Sequence, residues 1–263
     1  MGEDRSRGRA EGSPRLSESD RSGQHQSGTG QSGSGRSGPP VGRVYGRRRG
    51  RRLAGKKAEL LGGGFNDIAI AIPSPPELLD PSALFEPRPR AVWLEIGFGG
   101  GEHLAAQALA HPDVGFIGCE PFINGVSSLL VQLDSGGQRN VRIVADDARL
   151  LLVSLPKASL AGAFLLFPDP WPKRRHEHRR FLAQGIDLLA DALTDGGELR
   201  IATDHAALGP WMEELMAGHD SFVKIGRAEA RPEGWPPTRY EAKAIAAGRP
   251  CLYLAYRRSD RAS

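Results

Sequence analysis

The chain has 263 residues with 35 Lys and Arg, 31 Asp and Glu, 39% hydrophobic residues and two cysteines. That suits one α/β domain with extra sequence, and no run reaches the ~18 apolar residues of a membrane span. Residues 1–52 hold 12 of the 34 glycines, nine serines and a net charge of +7, whereas the remainder carries 23 basic against 26 acidic residues.

The tail has too few apolar side chains to offset its ordering entropy, so residues 1–52 are expected to be a disordered basic segment and 53–263 the folded domain. A polyanion bound by that mildly acidic domain must meet a local basic patch or the tail. Cys119 and Cys251 are far apart in apolar runs, which predicts reduced core thiols and a cytoplasmic protein. The start, MGEDRSRGRA, lacks the apolar core of a secretion signal, and its loose acylation pattern through Gly2 and Ser6 is read as chance.

Residues 43–57, RVYGRRRGRRLAGKK, carry eight basic groups and no acid; they are either a solvated tail or a phosphate-contacting segment. A helical fragment near Lys57–Leu61 and a Pro-rich approach over Ile72–Arg90 follow. Short apolar runs then predict strands at Val92–Ile96, Val114–Cys119, Val141–Val144, Ala161–Phe167 and Glu198–Thr203. Between them, helical spacing marks Glu102–Ala110, Gly125–Leu133, Ala148–Leu155 and His178–Ala192, with a further helix over His205–Ala217. Ser221–Glu229 and Cys251–Arg257 read as strands with no long helix between them. The alternation implies a mostly parallel sheet covered by helices on both faces, ending in an antiparallel edge.

Ligands of such sheets bind beyond the carboxyl ends of the strands. The first strand runs into Gly97-Phe98-Gly99-Gly100-Gly101-Glu102, a turn that lets a ligand approach the backbone at a helix start. A dinucleotide fingerprint would need glycine where Glu102 stands. Acids such as Glu95 and Glu102 would repel a pyrophosphate, yet suit the sulfonium and ammonium groups of S-adenosylmethionine. Glu120 ends the second strand, near the ~20-residue offset at which an acid grips ribose hydroxyls. Asp146 and Asp147 end the third; one can cap the next helix while the other accepts from an adenine amino group.

The fourth strand ends in Phe167-Pro168-Asp169-Pro170-Trp171-Pro172-Lys173-Arg174-Arg175-His176. Flanking prolines make a rigid loop around the acid. Lys173, Arg174, Arg175, Arg179 and Arg180 form a basic cluster, readable as a solvated helix face or as a phosphate dock.

In order and spacing, LEIGFGGGE, GCEPFINGV, VADDA, LLFPDPWPKRRHEHRR, ATDH and TRYEAKA resemble the bacterial tRNA (guanine-N7)-methyltransferase family over roughly residues 90–258. The resemblance implies a Rossmann-like, seven-stranded fold that uses S-adenosylmethionine to methylate N7 of guanine-46 in the variable loop of tRNA. It further implies cofactor contacts at Glu95, Gly97, Gly99, Glu120, Asp147 and Asp169. Asp169 would also be catalytic at the target base, and Lys173, Asp204, Thr238, Arg239, Tyr240 and Glu241 would contact the substrate.

N7 carries an in-plane lone pair and no proton, so transfer needs alignment rather than a base. Trp171 and Tyr240 could stack on the base or pack in the core. A tRNA-binding module without activity, or a methyltransferase acting on another substrate, are the alternatives. Pro250-Cys251 is read as part of a core strand rather than a nucleophile. His176-Glu177-His178 has the wrong spacing for a metal site, so none is expected. His103 and His205 are read as ordinary helix-start residues.

Overall fold

A computed structural model describes residues 47–261, all within one compact unit, Pro39–Ser263. In chain order the elements are α1 (Lys56–Gly62), β1 (Ala91–Ile96), α2 (Glu102–Ala110), β2 (Val114–Cys119), α3 (Ile123–Gly136), β3 (Val141–Val144) and α4 (Ala148–Leu152). They continue with β4 (Leu160–Leu166), α5 (Leu182–Ala192), β5 (Leu193–Thr203), α6 (Leu208–Ala217), β6 (Phe222–Ala228), α7 (Arg239–Ala246) and β7 (Leu252–Arg258). The strands form one sheet in the order β3-β2-β1-β4-β5-β7-β6. Pairs among β1 to β5 are parallel, and β7 runs antiparallel to both of its neighbours.

Strand alternation splits the core in two. Val92, Leu94 and Ile96 of β1, with Ile117, Cys119, Ala163 and Leu165, face Leu151, Ile186, Leu189 and Met212 from α4, α5 and α6. The opposite face offers Phe116, Ile143 and Phe164 to Leu104, Ala108, Leu129 and Leu130 from α2 and α3. β2 is buried along its whole length, as a central parallel strand covered on both faces must be.

The seven-stranded, mostly parallel architecture is the expected one, with three corrections. The edge strand β6 pairs antiparallel, as expected, but the strand that reverses direction is β7, which lies inside the sheet between β5 and β6. Burial explains the order, because Tyr253, Leu254 and Tyr256 of β7 are buried while β6 exposes Val223, Lys224 and Ile225. The more apolar strand takes the inner place. Second, β6 and β7 are separated by the unforeseen helix α7, whose length of chain lets β7 return beside β5. Its signal was present, since Thr238 and Glu241 form a capping box.

Third, helix α5 begins at Leu182 rather than His178. Arg174–Arg179 is instead a 3-10 helix, and Arg180 is extended at φ −63°, ψ 134°. Likewise α6 starts at Leu208, three residues beyond His205. The expected fragment at Lys57–Leu61 is α1, and the Pro-rich approach contains a single 3-10 turn, Pro81–Leu84.

Of the expected tail, residues 1–46 lie outside the described residues. Residues 48–51 dock on the start of α3: Ile123 N donates to Arg48 O, Gly50 N to Asn124 Oδ1, and Asn124 Nδ2 to Arg51 O.

Candidate active site

The carboxyl ends of β1 to β4 open into a cleft of about 660 Å³, the place where a doubly wound sheet binds ligands. Its lining includes Gly97, Gly99, Glu120, Asp147, Asp169, Arg239 and Tyr240, which the sequence had put forward separately. Asp146, Phe122, Asn124, Ser128, Trp171, Arg179, Arg47 and Lys57 complete much of the wall.

The floor is the glycine turn after β1. Gly97, Gly99 and Gly101 have φ of 70°, 57° and 82°, a region that side chains avoid. At Gly99 a second constraint applies, because a Cβ would lie 2.9 Å from the Tyr240 ring. On the other side Gly125 of α3 approaches so closely that a Cβ there would lie 2.1 Å from Gly99 O. Backbone thus packs on backbone, and the turn is fixed before any ligand arrives.

Glu120 is buried beside this turn. Its Oε2 accepts from Gly99 N at 2.7 Å and its Oε1 from Phe122 N at 2.8 Å. Burial pushes its pKa up, the two backbone bonds hold it down, and the charges of Asp169 and Glu95 push it up again. Asp147, not Asp146, caps α4: Oδ1 accepts from Arg149 N and Nε, each at 2.9 Å. Asp146 instead accepts from Asp147 N and pairs with Arg48 at 2.7 Å. These carboxylates would repel a pyrophosphate and complement a ligand bearing positive charge and ribose hydroxyls.

Glu95 lies beneath the cleft rather than on its lining. It is 3% exposed, and its Oε2 is 2.8 Å from His103 Nδ1. His103 is no ordinary helix-start residue: it is buried, stands 3.3 Å from Gln107 Nε2, and meets the edge of Phe164. Nothing local announces this pairing, because the partners sit on different elements.

The loop after β4 carries Asp169. Phe167 and Trp171 have φ of 51° and 40°, left-handed values that cost non-glycine residues about 1–3 kcal/mol each. Asp169 is open to the cleft, yet desolvation by the surrounding walls raises its pKa. Trp171 lines the cleft, with Arg179 stacked at 4.9 Å from its ring and His176 edge-on at 6.0 Å. Tyr240 also lines the cleft and is 45% exposed, so neither aromatic packs in the core.

The basic cluster divides. Lys173, Arg174 and Arg175 are exposed; desolvation first, then the charges of Arg179, Arg175 and Lys173, hold the pKa of His176 down. Arg180 is buried and points into the protein, donating through Nε to Pro170 O at 3.0 Å.

Four sequence-derived substrate residues stand outside the lining. Lys173 precedes the 3-10 helix, exposed. Asp204 accepts from Arg249 Nε at 2.8 Å. Thr238 caps α7 by accepting from Glu241 N. Glu241 is buried, and its oxygens accept from Tyr253 Oη at 2.7 Å, Arg231 Nε at 2.9 Å and Thr238 N at 3.3 Å. These bonds present Arg239 and Tyr240 to the cleft, where Arg239 Nε donates to Glu102 Oε1 at 2.7 Å across the glycine turn.

Cys119 and Cys251 are both free and buried. Desolvation first, then Asp147, Glu120 and Asp146, drives the Cys119 thiol well above its usual pKa. It is therefore protonated and unreactive at neutral pH. Among the described residues no group of His, Cys, Asp and Glu could hold a metal, and no helix is long and apolar enough to cross a membrane.

The sheet order, the reversed β7 and the acids around a glycine turn define a Rossmann-like methyltransferase. The family model described as "Putative methyltransferase" matches residues 89–254. A tRNA (guanine-N(7)-)-methyltransferase of Paramagnetospirillum magneticum is 46% identical over 83% of this chain and 94% of its own length. One of Rhodospirillum rubrum is 45% identical over 84% and 89%. The chain belongs to the tRNA (guanine-N7)-methyltransferase family. For the fold alone, the crystal structure of the 16S rRNA methyltransferase KamB aligns with a TM-score of 0.51 at 15% identity, covering 70% of this chain and 95% of that one.

Proposed function

We propose that the protein transfers a methyl group from S-adenosylmethionine to N7 of guanine-46 in the variable loop of tRNA. The observation that carries this reading is the shared cleft. A glycine turn with carboxylates at successive strand ends lines it together with Asp169, Trp171 and the pair Arg239 and Tyr240, which pack over the turn. The donor set fits the cofactor: Glu120 keeps lone pairs free for ribose hydroxyls, Asp146 and Asp147 flank the position expected for an adenine amino group, and Gly97 leaves open space above the turn. When bound there, S-adenosylmethionine supplies an electrophilic methyl group on a sulfonium.

Guanine N7 needs no deprotonation, so the chain's own contribution is orientation, worth up to roughly 7–11 kcal/mol in favourable cases. Asp169, held by its prolines, accepts from the N1–H and N2 amino edge of the base. It thereby aims N7 and stabilises the positive charge that grows on the ring. Trp171 or Tyr240 stacks on the exposed base, at roughly 1–3 kcal/mol. Glu95 acts from beneath the turn, and Glu241 and Thr238 act by holding Arg239 and Tyr240 rather than by touching RNA. Lys173, Arg174 and Arg175, with Arg47 and Lys57 at the cleft, meet phosphates. Asp204 contributes to the substrate side from the end of β5. The partner is tRNA, and the protein works in the cytoplasm without a metal.

Incubation with S-adenosylmethionine and an unmodified tRNA transcript, followed by chemical scission at 7-methylguanine, tests this. One cut in the variable loop is expected. Incorporation elsewhere would remove guanine-46 as the target, and no incorporation would remove the activity.

A further inference from the structure

Arg180 is placed unlike its neighbours. It is 6% exposed, whereas Lys173, Arg174 and Arg175 are solvated. Its Nε donates to Pro170 O at 3.0 Å, and Nη2 reaches Trp171 O at 3.4 Å. The guanidinium plane lies 4.5 Å from the Trp211 ring centroid on α6, and Nη1 stands 3.5 Å from Glu177 Oε1. A buried cation is tolerated only where its surroundings compensate it. Here two loop carbonyls, an aromatic face and the charge of Glu177 do so, while Nη1 itself makes no hydrogen bond.

The loop it grips has little else to offer. Three of the five residues from Pro168 to Pro172 are prolines without an N–H, so carbonyls are its main handles. The gripped carbonyls belong to the residue directly after Asp169 and to left-handed Trp171. Arg180 itself gets there because its extended backbone breaks the chain between the 3-10 helix and α5.

We infer that Arg180 is the positioning residue for Asp169: it fixes the proline loop from behind and takes no part in binding RNA phosphate. The inference rests on the reading of Asp169 as the residue that orients the base. Arg180 joins the loop to Trp211 of α6, so the acid is referenced to the helical layer and not only to the end of β4. An error of about 1 Å in such a group can cost roughly 100-fold in rate.

The test compares Arg180→Lys with Arg175→Gln in the full chain, measuring single-turnover methylation at saturating S-adenosylmethionine and tRNA together with tRNA Kd across a salt series. Lysine keeps the charge but cannot reproduce the planar fork. For Arg180→Lys, the expected rate falls by about 10-fold or more, with Kd and salt slope as in the parent. For Arg175→Gln the loss falls on binding: a weaker Kd and a slope shallower by about one ion.

A rate for Arg180→Lys within about two-fold of the parent overturns the proposal. So does an Arg180→Gln variant that loses tRNA affinity and salt slope while keeping its saturated rate. Should Arg180→Lys not fold, Trp211→Leu replaces it; a several-fold rate loss at unchanged Kd supports the proposal, and an unchanged rate overturns it. Asp169→Asn keeps the two readings apart. If it is fully active, the role of Asp169 falls; if it is inactive while Arg180→Lys is normal, only the role of Arg180 falls.

Discussion

On the β1–β3 side of the cleft the acids stand at the ends of their own strands, Glu120 fixed by main chain and Asp147 by main chain and its helix neighbour Arg149. Glu120 accepts from Gly99 N and Phe122 N, and Asp147 from Arg149 N. On the β4–β7 side the corresponding residues are held by arginines reaching across the fold. Arg180 grips the loop of Asp169, Arg249 pairs with Asp204 and Arg231 with Glu241, while Arg239 reaches over to Glu102 at the glycine turn. Main-chain bonds between packed elements cannot rearrange without unfolding. Ion pairs with half-exposed partners, such as Arg249 and Arg239, contribute roughly 0–1 kcal/mol and exchange readily. On the proposed function, the side assigned to the cofactor is therefore preorganised, whereas the residues paired with Arg239 and Arg249 can adjust to a large, charged ligand.

Substitutions can break or sharpen that contrast. The largest effect is expected from Asp169→Asn, which should lower kcat by about 100-fold or more while S-adenosylmethionine affinity changes by less than about ten-fold. Calorimetry and single-turnover assays would check both halves. An equal loss in binding and rate would place Asp169 on the cofactor side instead. Gly125→Ala should do the opposite. Its Cβ would meet Gly99 O at 2.1 Å, and overpacking of this kind costs about 1–3 kcal/mol. Cofactor affinity should fall by about ten-fold or more, with tRNA Kd retained.

Glu241→Ala removes the capping box and leaves Tyr253 Oη and Arg231 without their acceptor. A stability loss of about 2 kcal/mol by chemical denaturation is expected, with a raised KM for tRNA and little change in cofactor Kd.

A smaller, pH-dependent effect follows from the raised pKa values of Glu120 and Asp169. Both must be ionised to serve a cationic ligand and product. The acid limb of kcat/KM should therefore lie above the usual carboxylate range, and the limb of kcat below it, because bound positive charge stabilises the carboxylates. The same shifts mean that the native state binds these protons more tightly than the unfolded chain does. Their contribution favours folding at low pH and is lost as pH rises through the native values. At neutral pH, Asp169→Asn should accordingly raise the apo melting point by up to about 2 °C, since most of its carboxyl is screened by solvent.

The contrast also decides what could be read from the sequence. The strands, the glycine turn, Glu120 and the Asp146-Asp147 pair follow from local periodicity and from the rule that ligands meet strand ends. Glu95 shows the limit, because its burial against His103 depends on where α2 packs. On the other side, Arg180 looks like one more cation in a basic run, and only the break before α5 turns it inward. TRYE was legible as a motif, but its first and last residues form a helix cap that presents the middle two. The place of β7 inside the sheet likewise depends on competition for burial between two strands, which neither reveals alone.

The central claim is attack by guanine N7 on the sulfonium methyl within this cleft. Transcripts carrying guanine or 7-deazaguanine at the variable-loop position test it most directly, using labelled S-adenosylmethionine and a binding measurement on both RNAs. Labelling of the guanine transcript alone, at equal affinity for the two, is the predicted result. Label in the 7-deazaguanine transcript would contradict it.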